Sequence, residues 1–175
     1  HLYGGDINNL SELKNTHPDK NLYFTEQWVG APGNLYGDLR WHIRNLIIGA
    51  TRNWCKTIIE WNLASDENQK PHTDGGCNSC LGAVTIKNSI VQRNTAYYVI
   101  AHASKFVPPG SVRLFSSSSS TLPNVSFLTP EEKIVTIVLN DSSNKINFNI
   151  ILDGKDIHSS LKAGAVGTYI WDLNN

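Results

Sequence analysis

The hydrophobic periodicity of this chain changes character near residue 108, and that change limits the possible folds more than any other feature. Before it, compact apolar runs alternate with stretches whose apolar residues recur at steps of three and four. After it come only short period-two alternations separated by turn residues. The first pattern belongs to buried strands covered by helices, the second to antiparallel strands with one face buried. Two domains are therefore expected, residues 1–108 and residues 109–175.

In the first part, Asn21 to Glu26 is an apolar and aromatic run of the kind found in strands buried on both faces. A helix is expected from Gly37, because Leu39, Ile43, Leu46, Ile47, Ala50 and Trp54 draw one stripe along it. Lys56 to Asn62 reads as a second strand, and Ala96, Val99, Ile100, Ala103, Phe106 and Val107 as a second helical stripe. His1 to Gly4, followed by Ile7, Leu10 and Leu13, resembles the end of an earlier strand and its helix. Three strand–helix units in succession fit the closing portion of a (β/α)8 barrel. Pro108-Pro109-Gly110 forms a joint, and the Ser116 to Ser120 run is a turn without chemistry. Beyond it, Val125 to Leu128, Lys133 to Leu139, Ile146 to Leu152 and the alternating Val166, Thr168 and Ile170 suit a β-sandwich or part of one.

Charge narrows the choice of partner. Fifteen basic residues balance fifteen acidic ones, which leaves no basic footprint for nucleic acid or an anionic membrane. No run approaches the roughly 18 apolar residues of a membrane-spanning helix, so no integral membrane segment is expected. An uncharged partner fits better. The chain has no methionine, which leads to the expectation that a segment precedes His1. Cys55, Cys77 and Cys80 are odd in number, and Cys77-x2-Cys80 is open to a local disulfide, two thiols or half of a zinc site, for which only Cys55 and His72 lie nearby in sequence as the two further ligands. Asn9, Asn124 and Asn140 stand in glycosylation sequons, which matter for a secreted eukaryotic protein.

Barrel enzymes place reacting groups where parallel strands end, which directs attention to Glu26 and to Glu60-Trp61-Asn62. Glu26 lies among Tyr23, Phe24 and Trp28. Aromatic faces stack on sugar rings while a carboxylate meets the anomeric carbon, so the combination suits carbohydrate chemistry. A carboxylate at a strand end also caps helices or pairs with arginine. Glu60 competes for the same role, but period-two alternation sends Glu60 and Trp61 in opposite directions, so only one faces the barrel axis. His72 is open to sugar contact or to a role in organising its loop.

Taken together, His1-Leu-Tyr-Gly-Gly-Asp, Leu22-Tyr-Phe-Thr-Glu-Gln-Trp, Glu60-Trp-Asn-Leu-Ala, Ala101-His-Ala-Ser-Lys-Phe-Val and Pro109-Gly-Ser-Val-Arg resemble glycoside hydrolase family 30, which includes the glucosylceramidases. The resemblance implies a barrel fused to a β-sandwich built from both ends of the chain, and cleavage of β-linked sugars with retention. It implies that Glu26 is the nucleophile, that Tyr3 hydrogen-bonds it with His1 as a supporting residue, and that Trp61 lines the sugar pocket. Trp28 joins these as a candidate substrate-binding residue, and Glu60 is assigned to a buried ion pair. The family's acid/base glutamate stands in an Asn-Glu-Pro context that does not occur here, so it is expected before His1. The loop from Pro71 to Cys80 departs from the mammalian pattern, so leaving-group contacts do not carry over.

The resemblance thus implies a retaining β-glycosidase acting on a β-glucoside, glucosylceramide or β-glucan, without cofactor or catalytic metal. An endo-β-1,6-glucanase of the same family is the alternative, and in isolation the chain would be a carbohydrate-binding remnant without turnover. A secreted, periplasmic or lysosomal setting is expected from the family.

Overall fold

The computed structural model describes residues 5–117 and 119–173. The chain divides into two compact units, His1–Phe106 and Val107–Asn175.

The first unit opens with α1 (Asn9–Thr16), which buries Leu10. β1 (Leu22–Phe24) and β2 (Val29–Gly30) follow. Helix α2 (Leu35–His42) starts on a reciprocal cap: Asn34 Oδ1 accepts from Gly37 N (3.0 Å), and Asp38 Oδ2 accepts from Asn34 N (2.6 Å). The helix then widens into a π-helical segment, Ile43–Ala50, which buries Ile43, Leu46, Ile47, Ile48 and Ala50. Trp54 does not continue that stripe. Asn53 closes the helix end by donating from Nδ2 to Gly49 O (2.9 Å), and Trp54, at φ 75°, swings out to 49% exposure.

β3 (Cys55–Ile58) lies parallel to β1, with Phe24 opposite Ile58. Strand, helix and parallel strand form one right-sized crossover unit. Leu22, Phe24, Leu46, Ala50, Cys55 and Leu10 make its core, with Ile7 and Ile58 packed on it. The closing barrel portion expected from the sequence, three strand–helix units in succession, is not shown: among the described residues the one strand–helix–strand crossover with parallel pairing is that of the two-stranded β1–β3 sheet. The strand expected at His1 to Gly4 lies outside those residues.

Between β3 and the last helix come elements that the periodicity did not reveal. They are β4 (Ala64–Ser65), β5 (Cys80–Leu81), β6 (Val84–Lys87) and β7 (Ile90–Arg93). β4, β6 and β7 form a small sheet, and β5 pairs antiparallel with β2. Helix α3 (Thr95–Ser104) ends the unit with Ala96 and Val99 buried, whereas Phe106 and Val107 fall beyond its end.

The second unit is a β-sandwich. β8 (Val112–Leu114), β9 (Asn124–Leu128), β10 (Lys133–Leu139) and β13 (Val166–Asp172) form an antiparallel sheet in the order β13-β10-β9-β8. The second layer is the hairpin of β11 (Ile146–Leu152) and β12 (Lys155–Leu161), turned at Asp153-Gly154. Phe148 on β11 meets Tyr169 on β13 edge to face at 5.9 Å, and Ser159 on β12 hydrogen-bonds the Tyr169 hydroxyl at 2.8 Å. Between the layers lies a cavity of about 230 Å³ whose lining includes Ser126, Thr136, Phe148, Ile150 and Trp171. Asn140 ties the sandwich together. It is fully buried, donates from Nδ2 to Asn144 O (2.7 Å) and Leu161 O (2.9 Å), and accepts at Oδ1 from Ser142 N and Oγ.

Candidate functional site

Leu22 and Phe24 face the helices, so the intervening Tyr23 turns to the opposite side of the sheet, where it is 41% exposed. Beyond the regular pairing the two chains run on side by side. Ile59 N donates to Phe24 O (2.9 Å), Trp61 N donates to Gln27 O (2.6 Å), and a parallel bridge joins Trp28 to Trp61. Half-buried Glu26 therefore sits at the C-terminal end of β1, two residues before the aromatic bridge. Trp28 and Trp61 keep about two-fifths of their surface open, at 39% and 41%. The Trp28 ring folds back over Gly30, where a Cβ would stand 3.1 Å from Cζ3, so the absence of a side chain there lets the indole lie on the strand.

Glu60 and Trp61 take opposite sides of their segment. The Glu60 carboxylate turns to the helix, where Oε1 meets His42 Nδ1 at 2.7 Å, with side-chain exposures of only 3% and 6%. Trp41 packs edge-on against the same imidazole at 5.1 Å. Glu60 Oε2 and Asn62 Oδ1 are buried without a partner among the described residues. His42 was available from the sequence, because it stands three residues after Leu39 and four before Leu46 on the apolar stripe. A polar ring at such a position requires a partner.

Tyr3 and His1, expected to support Glu26, lie outside the described residues. His72 is exposed, with Nδ1 3.0 Å from Thr73 O. Cys77 and Cys80 are joined in a disulfide, so neither is a thiolate available to zinc. Cys55 is a free, buried thiol whose pKa burial pushes up to about 11. No group of three or more His, Cys, Asp or Glu side chains able to hold a metal occurs among the described residues. A groove of about 480 Å³ between α1 and β1, lined by Ile7, Leu10, Leu13 and Phe24 among others, opens on the helix-facing side and is separate from the tryptophan pair.

What this arrangement offers chemically is a half-buried carboxylate just past a strand end, two residues in sequence from a bridge between two partly exposed tryptophans, a combination suited to gripping a sugar ring. The family model described as the glycosyl hydrolase family 30 beta sandwich domain matches residues 110–169. An endo-1,6-beta-D-glucanase of Aspergillus fumigatus is 31% identical over 92% of this chain and 34% of its own length. The lysosomal acid glucosylceramidase of Mus musculus is 30% identical over 93% of this chain and 33% of its own. The solved endo-beta1,6-glucanase BT3312 superposes with a TM-score of 0.89 and 29% identity, over 97% of this chain and 40% of that one. The chain thus spans about a third of the length of the curated relatives it matches.

Proposed function

The chain belongs to glycoside hydrolase family 30, and from that premise we propose that it carries the nucleophile side of a retaining β-glucanase site. The observation that carries this reading is Glu26 at the end of β1, two residues from the Trp28–Trp61 bridge. In the proposal, β1 and β3 are adjacent strands of a (β/α)8 barrel whose mouth lies at their C-terminal ends. The Glu26 carboxylate attacks the anomeric carbon, the glycosidic bond breaks, and a glycosyl ester forms that water later hydrolyses. Trp61 and Trp28 hold the ring while Tyr3, with His1 beside it, orients the carboxylate. Glu60 is not the nucleophile, because its carboxylate is sealed against His42 on the helix side.

Retention needs a second carboxyl about 5 Å from the first to protonate the leaving oxygen. The Asn-Glu-Pro context implied for that group is absent from these 175 residues, so the proposal assigns it to the rest of the enzyme. The chain by itself then turns over no substrate. General acid assistance contributes about 10² to 10⁴ in rate, and the remaining positioning contacts would also be missing.

Among substrates, β-1,6-glucan moves ahead of glucosylceramide, which the resemblance alone put first. This ordering is supported by the likeness to endo-1,6-beta-glucanases in both sequence and structure. Glucosylceramide remains the second reading, favoured by the mouse relative. A secreted setting accords with the Cys77–Cys80 disulfide, and no helix among the described residues is long and apolar enough to cross a membrane.

The test is made on the full-length enzyme. Glu26→Gln should lower turnover of β-1,6-glucan by several orders of magnitude, and a 2-fluoro-glucosyl inactivator should label the peptide containing Glu26. Normal activity in Glu26→Gln, or labelling elsewhere, would overturn the assignment.

A further inference from the structure

From Asp66 to Ser79 the chain has no apolar side chain apart from Pro71 and Cys77, so this loop has almost nothing to bury. Its order must come from turns and cross-links. Asp66 Oδ1 accepts from Asn68 N (2.8 Å) and Lys70 N (2.9 Å), and Asp66 N donates to Lys70 O (2.8 Å), which closes the first turn. The two ends of the loop then converge. Gly82 N donates to Ser65 Oγ (3.2 Å), and a Cβ on Gly82 would come within 2.7 Å of Asn62 Oδ1 and 2.9 Å of Ser65 N, so only glycine fits.

At its far end the loop is fastened to the sugar-site strand. Ala31 N donates to Ser79 O (2.7 Å), and Cys80 pairs with Gly30, the residue on which the Trp28 ring lies. The Cys77–Cys80 disulfide closes the last turn before that pairing, with its Cα atoms 5.6 Å apart. The cross-link therefore stands in register with the backbone beneath Trp28. Asn78 lies in the four-residue turn that the bond closes, and the exposed His72, Thr73 and Asp74 precede that anchored end of the loop.

We propose that Cys77 and Cys80 are positioning residues whose disulfide fixes the last turn of the Asp66–Ser79 loop where it meets β2, so that the loop stands as a polar wall beside Trp28. There the loop binds sugar units beyond the one that reacts at Glu26. This rests on the glucanase reading above and extends it to chain-length preference. A substrate with one sugar and an activated leaving group does not reach the wall, whereas an oligosaccharide does. Hydroxyl-rich sugars suit such a wall, since it supplies amide, hydroxyl and carboxylate partners without an apolar surface.

The experiment uses the full-length enzyme, the Cys77→Ser/Cys80→Ser double variant, and the enzyme treated with dithiothreitol. The dithiol gives two electrons and two protons to the disulfide, leaving two thiols and the oxidised cyclic reagent. Loss of one or two sugar hydrogen bonds should raise KM for a β-1,6-gluco-oligosaccharide by about three- to tenfold. The kcat and KM for an aryl β-glucoside should stay unchanged. The double variant should show the raised KM without reductant and ignore dithiothreitol, which separates this bond from any other disulfide in the enzyme. An unchanged oligosaccharide KM would overturn the inference alone. Parallel losses on both substrates with a lowered Tm would overturn it too, because they mark a purely structural bond. An untreated enzyme inactive on both substrates would overturn the glucanase reading and this inference with it.

Discussion

Replacing His42 by leucine would strand the Glu60 carboxylate where water does not reach it. The pair meets at 2.7 Å with side chains 3% and 6% exposed, and Oε2 already has no partner among the described residues, so the imidazole is the carboxylate's one recorded hydrogen bond. A hydrogen bond to a charged group contributes about 1.5–3 kcal/mol. The stranded charge adds its desolvation cost, which brings removal of one partner from a buried pair to about 3–5 kcal/mol. Glu60→Leu should be milder, because a neutral imidazole is less expensive to bury than a carboxylate. Replacing both by leucine removes both polar groups and should cost far less than the two single changes together. The assay is a double-mutant cycle on urea unfolding midpoints, read at constant m. Coupling of about 2–3 kcal/mol is expected, and additivity to within roughly 0.5 kcal/mol would refute the pairing as a stabilising unit.

Asn140→Asp keeps the size of the side chain but turns the two amide donors into a carboxylate oxygen facing Asn144 O and Leu161 O. It should lower sandwich stability by at least about 2 kcal/mol by thermal unfolding, and an unchanged Tm would count against the hub role. The same burial makes Asn140 unavailable to glycosylation. Cys55, a buried free thiol, should resist iodoacetamide in the native protein at pH 8 and react once unfolded, as read by peptide mapping. Burial holds its folded pKa above the unfolded value, so its stabilising share is intact below the ordinary thiol pKa and is lost as pH rises through about 11. Rapid native labelling at pH 8 would contradict that burial.

Periodicity discloses which way a side chain points but not what it will meet, and the legible and illegible parts of this chain divide along that line. Ile146, Phe148 and Ile150 alternate clearly and do form a half-buried strand, yet its partner Lys155–Leu161 is largely exposed and carries no apolar rhythm. Only the cross-strand ladder makes it a strand. The helical stripe ending at Ala50 was legible, whereas Trp54 was misplaced because a capping asparagine, not hydropathy, decides where that helix stops. At the site, alternation separates Glu60 from Trp61, and the structure puts the carboxylate on the helix side. The alternation could not name His42, whose partnership spans eighteen residues of sequence, nor the fastening of Cys80 to Gly30 across fifty. The regular β1–β3 pairing ends at Phe24 and Ile58, and Glu26, Trp28 and Trp61 all lie past that point. Local rules lapse where strands end, and strand ends are where a barrel-type enzyme keeps its chemistry. The residues hardest to orient from the sequence are thus the ones on which the proposed function depends.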